Sequence, residues 1–161
     1  MASAPDRDEL GRIHAALAPR GPDGEGLWSS PDGRLLLAHR RLAILDLSPA
    51  GAQPMSSADG RFTLVFNGEI YNFRELAAEL AAQGAHLRSR SDTEVVLELW
   101  RREGPRALAK LRGMFALAIW DNLAGAMQGN NDDSLVGRFV HLDTVFVVNA
   151  GRGAGAVLRA P

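Results

Sequence analysis

The chain has 161 residues, 46% of them hydrophobic and 23% charged, which fits one soluble globular domain long enough to bury a core. Its net charge of -1 supplies no general attraction to nucleic acid or to an anionic membrane, and pairs such as Arg40-Arg41 and Arg101-Arg102 are too short to track a phosphate backbone. It contains no cysteine, which removes disulfides, zinc-thiolate sites and thiol catalysis from these residues together.

The start, MASAPDRDEL, is polar and acidic, unlike a secretory signal, and no apolar run reaches the ~18 residues of a membrane span. A soluble, cytoplasmic protein without nucleic-acid or membrane partners is expected. Pro5 to Ala18 then reads as a helix, with Leu10, Ile13 and Leu17 at helical spacing and Pro19 beyond it. A glycine-rich loop runs from Arg20 to Gly26. Leu27 to Ser29 and Arg34 to His39 are short strand candidates around the turn signal Pro31-Asp32-Gly33. Leu42 to Leu45 is a short apolar stretch, followed by a turn-rich loop from Asp46 to Gly60.

Arg61 to Phe66 is β-branched and aromatic, and Asn67-Gly68 reads as the end of that strand. Asn72 to Gln83 is predicted helical, with Asn72 as cap, Glu75 three residues on and Gly84 as the stop. Ser91 and Glu94 have capping-box spacing for a further helix that ends at Gly104-Pro105. Pro105 to Leu111 reads as a short helix, and the apolar run Gly113 to Trp120 as a buried strand. After Asp121 the composition turns loop-like, with an isolated strand expected at Thr144 to Val148 and a flexible end over GRGAGAVLRAP. No internal repeat is evident. Strands, then helices, then a strand read as α+β rather than as a regular βαβ alternation.

Five segments stand out by identity and order: RGPDGEG, AHRRLAILDLSPAGAQPM, FNGEIYNF, RSRSDTE and LRGMFALAIWD. Together they resemble the N-terminal glutaminase domain of asparagine synthetases and related class II glutamine amidotransferases. The resemblance covers Leu10 to Asp121. It implies an α+β fold, a four-layer αββα sandwich of two antiparallel sheets of the N-terminal-nucleophile hydrolase type, with L-glutamine as the ligand. In that family an N-terminal cysteine attacks the glutamine side-chain amide, its own α-amine serves as base, and ammonia passes to a synthetase domain.

The resemblance carries over to particular residues. Arg41 matches the arginine that clamps the α-carboxylate, for which a planar guanidinium is suited, and Leu42, Ala43, Ile44 and Leu45 follow it in the substrate-binding segment. Asn67 and Gly68 match the oxyanion pair, a side-chain amide and a backbone N–H. The bland alternative for Asn-Gly is a hairpin turn, but EIYNFREL leads into a capped helix rather than a returning strand. Asp92, with Glu69, matches the anion for the α-ammonium, although an acid in a helix's first turn also complements the dipole without any ligand. RGPDGEG is read as a shaping loop and the histidines, His39 among them, as packing or surface residues with no metal.

Two departures from the family pattern stand beside the match. The strand that would carry the cysteine is missing before RGPD, a shortfall of ~10 residues, or about three nanometres at ~3.3 Å each. Ala2 offers no nucleophile, and Ser3 would sit too close to the helix to replace one. Residues 1–121 are therefore read as an incomplete amidotransferase domain lacking its first strand, and 122–161 as a divergent tail without family resemblance. Loss of glutaminase activity and weakened stability are expected, the latter from unpaired ladder groups. The nucleotide loop of the synthetase domain is absent too, so ATP and magnesium have no place here and no cofactor is expected. A glutamine-binding pseudo-glutaminase that regulates a separate synthetase chain, and a non-functional fragment of an interrupted gene, both remain open.

Overall fold

In a computed structural model, which describes residues 6–128 and 146–150, the layers are built on the strand Leu35–Arg41. Leu35 to Ala38 are all buried, because this strand is covered on both faces and paired on both edges. That is why it reads as a continuous apolar run instead of an alternating one. In chain order the elements are α1 (Arg7–Ala16), β1 (Gly24–Ser29), β2 (Leu35–Arg41), β3 (Met55–Ser56), β4 (Phe62–Ile70), α2 (Phe73–Ala82), α3 (Asp92–Glu103), β5 (Gly113–Asp121), β6 (Ala126–Gln128) and β7 (Phe146–Ala150).

The strands form two antiparallel sheets, ordered β1-β2-β7 and β3-β4-β5-β6. Side-chain alternation assigns the layers. Leu35 and Leu37 point from β2 into the gap between the sheets, where they meet Val65, Ala118 and Trp120, with Trp28 partly buried against them. Leu36 and Ala38 point the other way, under Leu10, Ile13 and Leu17. Phe62, Leu64 and Phe66 of β4, with Ile119 of β5, face α2 and α3 through Leu76, Leu80, Val95, Val96, Leu99 and Trp100. The order of layers is α1, sheet, sheet, then α2 with α3: the αββα sandwich of an α+β domain.

Several elements differ from the sequence reading. Asn67-Gly68 does not end a strand. β4 runs on to Ile70, paired in register with β5 from Phe62↔Asp121 to Ile70↔Gly113. The strand expected at Thr144 to Val148 is β7, at Phe146–Ala150, and it is not isolated: it pairs with β2 over Leu35 to His39. β2 thus has a partner on each side. The loop-like stretch after Asp121 contains β6, which continues the second sheet. The remainder of the tail, with GRGAGAVLRAP, lies outside the described residues. Leu42, Ile44 and Leu45 are exposed and belong to no strand. Asn72 precedes α2 but does not cap it with its side chain, which instead donates to the Lys110 carbonyl and accepts from Arg112 N.

One turn is built twice. In Ser30–Leu35, Ser30 Oγ donates to Asp32 Oδ1 at 2.6 Å and accepts from Leu35 N, while Asp32 Oδ1 accepts from Arg34 N. Ser57–Phe62 repeats each of these bonds with Ser57, Asp59, Arg61 and Phe62. Gly33 and Gly60 sit at φ 68° and 71° in the two turns, a conformation that glycine adopts without penalty. The Asp32 carboxyl is pulled down to about 2, first by the Ser30 hydroxyl and then by Arg34 N–H. The arginines of both turns reach the turn between β5 and β6. Arg34 donates to the Gly125 carbonyl at 2.7 Å, and Arg61 to the fully buried Asp121 at 2.9 Å. Residues 121–125 are thereby tied to both sheets.

The core assignment is checked by truncation. Leu37→Ala, inside the gap between sheets, is expected to destabilise by ~2–5 kcal/mol, and Leu47→Ala, on an exposed loop, by less than ~0.5 kcal/mol. Chemical denaturation of both variants reads the difference.

Candidate functional site

The last residues of β2, the far half of β4 and the N-terminus of α3 meet around one cleft. Its volume of about 130 Å³ lies well below the ~300–1,000 Å³ of drug-sized pockets and suits a small metabolite. Arg41, Leu42, Ala43, Ile44 and Leu45 form one wall. Asn67, Gly68 and Glu69 line the β4 side, and Asp92 closes the α3 side. All nine residues carried over from the resemblance are brought to this cleft.

The β2 wall is shaped by the loop after Arg20. Gly21 lies against the backbone of Arg40 and Arg41, so close that a Cβ would sit 2.5 Å from the Arg40 carbonyl carbon. Asp23 N donates to the Arg41 carbonyl at 3.0 Å, and Asp23 Oδ2 accepts from Ala43 N at 2.9 Å. The glycine-rich segment therefore shapes the wall, as its composition implies. Arg41 Nη1 donates to the Ser48 carbonyl at 2.9 Å, and Nη2 to the Asp46 carbonyl. Among the described residues no carboxylate lies within ion-pair distance of Arg41. A guanidinium has five donors, so carbonyl bonds leave both charge and donors for an incoming anion.

On the β4 side, Gly68 has φ 144° and stands opposite Phe115 of β5. A Cβ there would collide with the Met114 carbonyl oxygen and lie 2.5 Å from Phe115 Cα. Glycine is required by both the dihedral and the contact. Asn67 precedes it, half-buried. Glu69 is exposed at the cleft mouth.

On the α3 side, Ser91 caps the helix by accepting from Glu94 N. The reciprocal half of the capping box does not form. Glu94 turns back to Arg88 N at 2.9 Å and to Ser89 N and Oγ, both at 2.6 Å. Burial works to raise its carboxyl, but these donors outweigh it, and the net direction is down. Asp92 is only 5% exposed and accepts from Ile70 N at 3.0 Å, which joins α3 to the end of β4. Burial pushes the Asp92 carboxyl up, the N–H groups of Ile70, Thr93 and Asp92 itself pull it down, and the nearby charge of Glu69 adds to the rise. Burial outweighs these N–H groups, so an ionised Asp92 is under-compensated by the protein around it. A cation placed beside it would restore the balance.

The cleft residues that the sequence reading passed over include His39 and Gln53. His39 is buried, with 4% exposure, and its backbone carbonyl takes a bond from His14 Nε2 at 3.2 Å. Its ring bonds the Phe66 carbonyl, and Nδ1 is buried without a partner. Burial lowers its pKa to about 4, with Arg41 and His14 adding to the effect and the Phe66 bond opposing it. Gln53 accepts from Phe66 N at 2.6 Å and donates to Thr93 Oγ1 at 3.3 Å, so one side chain ties β4 to α3 across the cleft floor. Both lie within AHRRLAILDLSPAGAQPM, which was the available signal. Among the described residues no three His, Asp or Glu side chains group as metal ligands, and no helix is long and apolar enough to cross a membrane.

The fold resembles those of two solved enzymes. The glutamine phosphoribosylpyrophosphate amidotransferase of B. subtilis superposes with a TM-score of 0.59 and 21% identity, over 75% of this chain and 34% of that one. An allosteric regulatory enzyme of purine biosynthesis gives 0.53 and 23%, over 68% of this chain and 31% of that one. These likenesses show the shared fold, an α+β sandwich of two antiparallel sheets. In sequence, the family model of the glutamine amidotransferase domain matches residues 1–132. The chain is 39% identical over 133 residues to asparagine synthetase [glutamine-hydrolyzing] 1 of Bacillus subtilis, covering 82% of this chain and 21% of that protein. It is 39% identical over 130 residues to asparagine synthetase B of Escherichia coli (81% and 21%) and 40% over 114 residues to amidase chry2 of Gibberella zeae (71% and 17%). It belongs to the glutamine amidotransferase domain family, class II, of the asparagine-synthetase type. The chain spans about a fifth of the length of the curated relatives it matches.

Two buried groups give opposite pH signatures. His39 has a depressed folded pKa, so below its ordinary value of 6.5 the unfolded chain takes the proton first. Its contribution to stability is complete above pH 6.5 and is lost as pH falls towards 4, by ~2–3 kcal/mol at one pKa unit per 1.36 kcal/mol. His39→Gln is expected to flatten the stability profile over that window in pH-dependent denaturation. Asp92 has a raised folded pKa, so its contribution is complete below the ordinary 3.8 and is lost as pH rises through the folded value. Asp92→Asn keeps an acceptor for Ile70 N and removes the buried charge. It is expected to match or exceed the parent in Tm at pH 7, with the difference vanishing below about pH 4.

Proposed function

We propose that the cleft recognises free L-glutamine, and that the 161 residues described by this sequence bind it without hydrolysing it. The observation that carries the reading is the pair of opposite charges in one small cleft: Arg41, which among the described residues has no carboxylate within ion-pair distance, and Asp92, buried with its carboxyl pushed up. An α-amino acid supplies the complement of both. Its carboxylate lies against the Arg41 guanidinium, and its ammonium lies between Asp92 and Glu69. The side chain then extends along β4, where the Asn67 amide and the Gly68 N–H act as donors to the amide carbonyl. Leu42, Ala43, Ile44 and Leu45 flank the ligand on the β2 wall.

Hydrolysis would need a nucleophile within reach of that carbonyl, and this chain holds no cysteine. The Asn67–Gly68 pair would polarise the amide without anything to attack it. In the parent architecture we infer release of ammonia for amidation of aspartate or a related carboxylate, with ATP and magnesium handled by a synthetase domain or a separate chain. The glutaminase half by itself needs no cofactor.

Two measurements on the full chain test this. Calorimetric titration with L-glutamine is expected to give saturable binding, lost in Asp92→Ala and weakened ~10-fold or more in Arg41→Lys, where a point charge replaces a bidentate fork. A coupled assay for ammonia is expected to read no release above background. Binding that survives Asp92→Ala would remove the amino-acid reading of the cleft, and ammonia release would remove the binding-only reading.

A further inference from the structure

One half-buried carboxylate at the cleft belongs to none of the roles above. Asp46 Oδ1 accepts from Ser48 N at 2.8 Å, within its own loop. Its Oδ2 accepts from Arg90 N, also at 2.8 Å, 44 residues further along the chain. Its backbone carbonyl takes Nη2 of Arg41, while the Ser48 carbonyl takes Nη1. Arg90 directly precedes Ser91, the cap of α3, and Asp92 follows. A single residue is therefore bonded to the Arg41 guanidinium through its main chain and, through its side chain, to the segment leading into α3, two residues before Asp92.

We propose that Asp46 is a positioning residue that sets the separation between the Arg41 guanidinium and the Asp92 carboxylate, and with it the cleft's preference for ligands that carry both an α-carboxylate and an α-ammonium. The proposal rests on the amino-acid reading of the cleft and specifies how that reading becomes selective. Little else holds the segment. Ile44 and Leu47 are 75% and 79% exposed, so it has scant apolar packing to fix it. Its anchors are polar: Asp23 on Ala43 N at one end and Asp46 at the other. Gly51 closes the arrangement from behind, buried against the guanidinium so tightly that a Cβ there would strike Arg41 Nη2. The Asp46 carboxyl is held down to about 2, first by Arg90 N–H and then by Ser48, so the clasp stays ionised through ordinary working pH.

The test separates spacing from general damage. The wild-type chain, Asp46→Ala and Asp46→Asn are titrated by NMR with L-glutamine, with glutaramic acid (no α-ammonium) and with 4-aminobutanamide (no α-carboxylate). If Asp46 sets the spacing, Asp46→Ala weakens glutamine ~10-fold or more, the loss of one to two charge-assisted bonds, and each one-charge analogue by less than ~3-fold. A ligand that touches only one pole does not sense the distance to the other. Asp46→Asn keeps one acceptor and is expected to fall between, which also covers the case in which the alanine variant folds poorly. Equal losses for all three ligands, or no loss for glutamine, would overturn the proposal. Failure of the wild-type chain to bind glutamine would overturn the amino-acid reading itself, a result distinguishable because it precedes any substitution.

Discussion

The structure depends on the β4–β5 ladder. Nine paired positions run from Phe62↔Asp121 to Ile70↔Gly113 without interruption, and the two ends of that ladder do different work. At the first end, Phe62, Leu64 and Phe66 supply the core under α2 and α3, while Val65 fills the gap between sheets. At the second, the same strand presents Asn67, Gly68 and Glu69 to the cleft. The change of role costs the strand no bend or bulge. It is permitted by Gly68, where the β5 backbone lies in the space a side chain would take. The cleft end of the strand is thus continuous with the core end through one unbroken ladder.

The other walls are attached to that ladder by polar side chains rather than by packing. Gln53 bonds Phe66 N and Thr93, Asp92 bonds Ile70 N, and Asp46 bonds Arg90 N. Each spans two elements far apart in sequence. The result is a cleft whose charged groups are set against one another across distances fixed by short hydrogen bonds, with exposed apolar residues between them. Burial holds the sheets together, and hydrogen bonding holds the site together. The division follows from solvent access, since a site open to a ligand cannot be fixed by excluding water from it.

Much of the cleft's lining was legible in the chain because it comes in short, ordered segments of particular side chains. RLAIL, NGE and SDTE each place a charge or an amide beside the elements that carry them, and all are found at one cleft. His39 and Gln53 were not legible as cleft residues. Their importance lies in which carbonyl or N–H they meet: Phe66 for both, on a strand they do not belong to. The same holds for Asn72, whose spacing to Glu75 satisfies a capping rule while its side chain is occupied at Lys110 and Arg112.

The amino-acid chain alone specified the amphipathic helices, the strongest strands, the α+β class and the family, because these rest on local periodicity and on residue identities in short, ordered segments. It also determined that no thiol is present. Tertiary structure alone decided that β4 passes through Asn67-Gly68, because the extended conformation there is imposed by pairing to β5 and not by the preference of the dipeptide. It alone decided that residues 146–150 join β2, because pairing partners distant in the chain leave no local signal. And it alone brought Arg41 and Asp92 to one cleft, since the bonds that hold them there link loops that are adjacent only after the two sheets have packed.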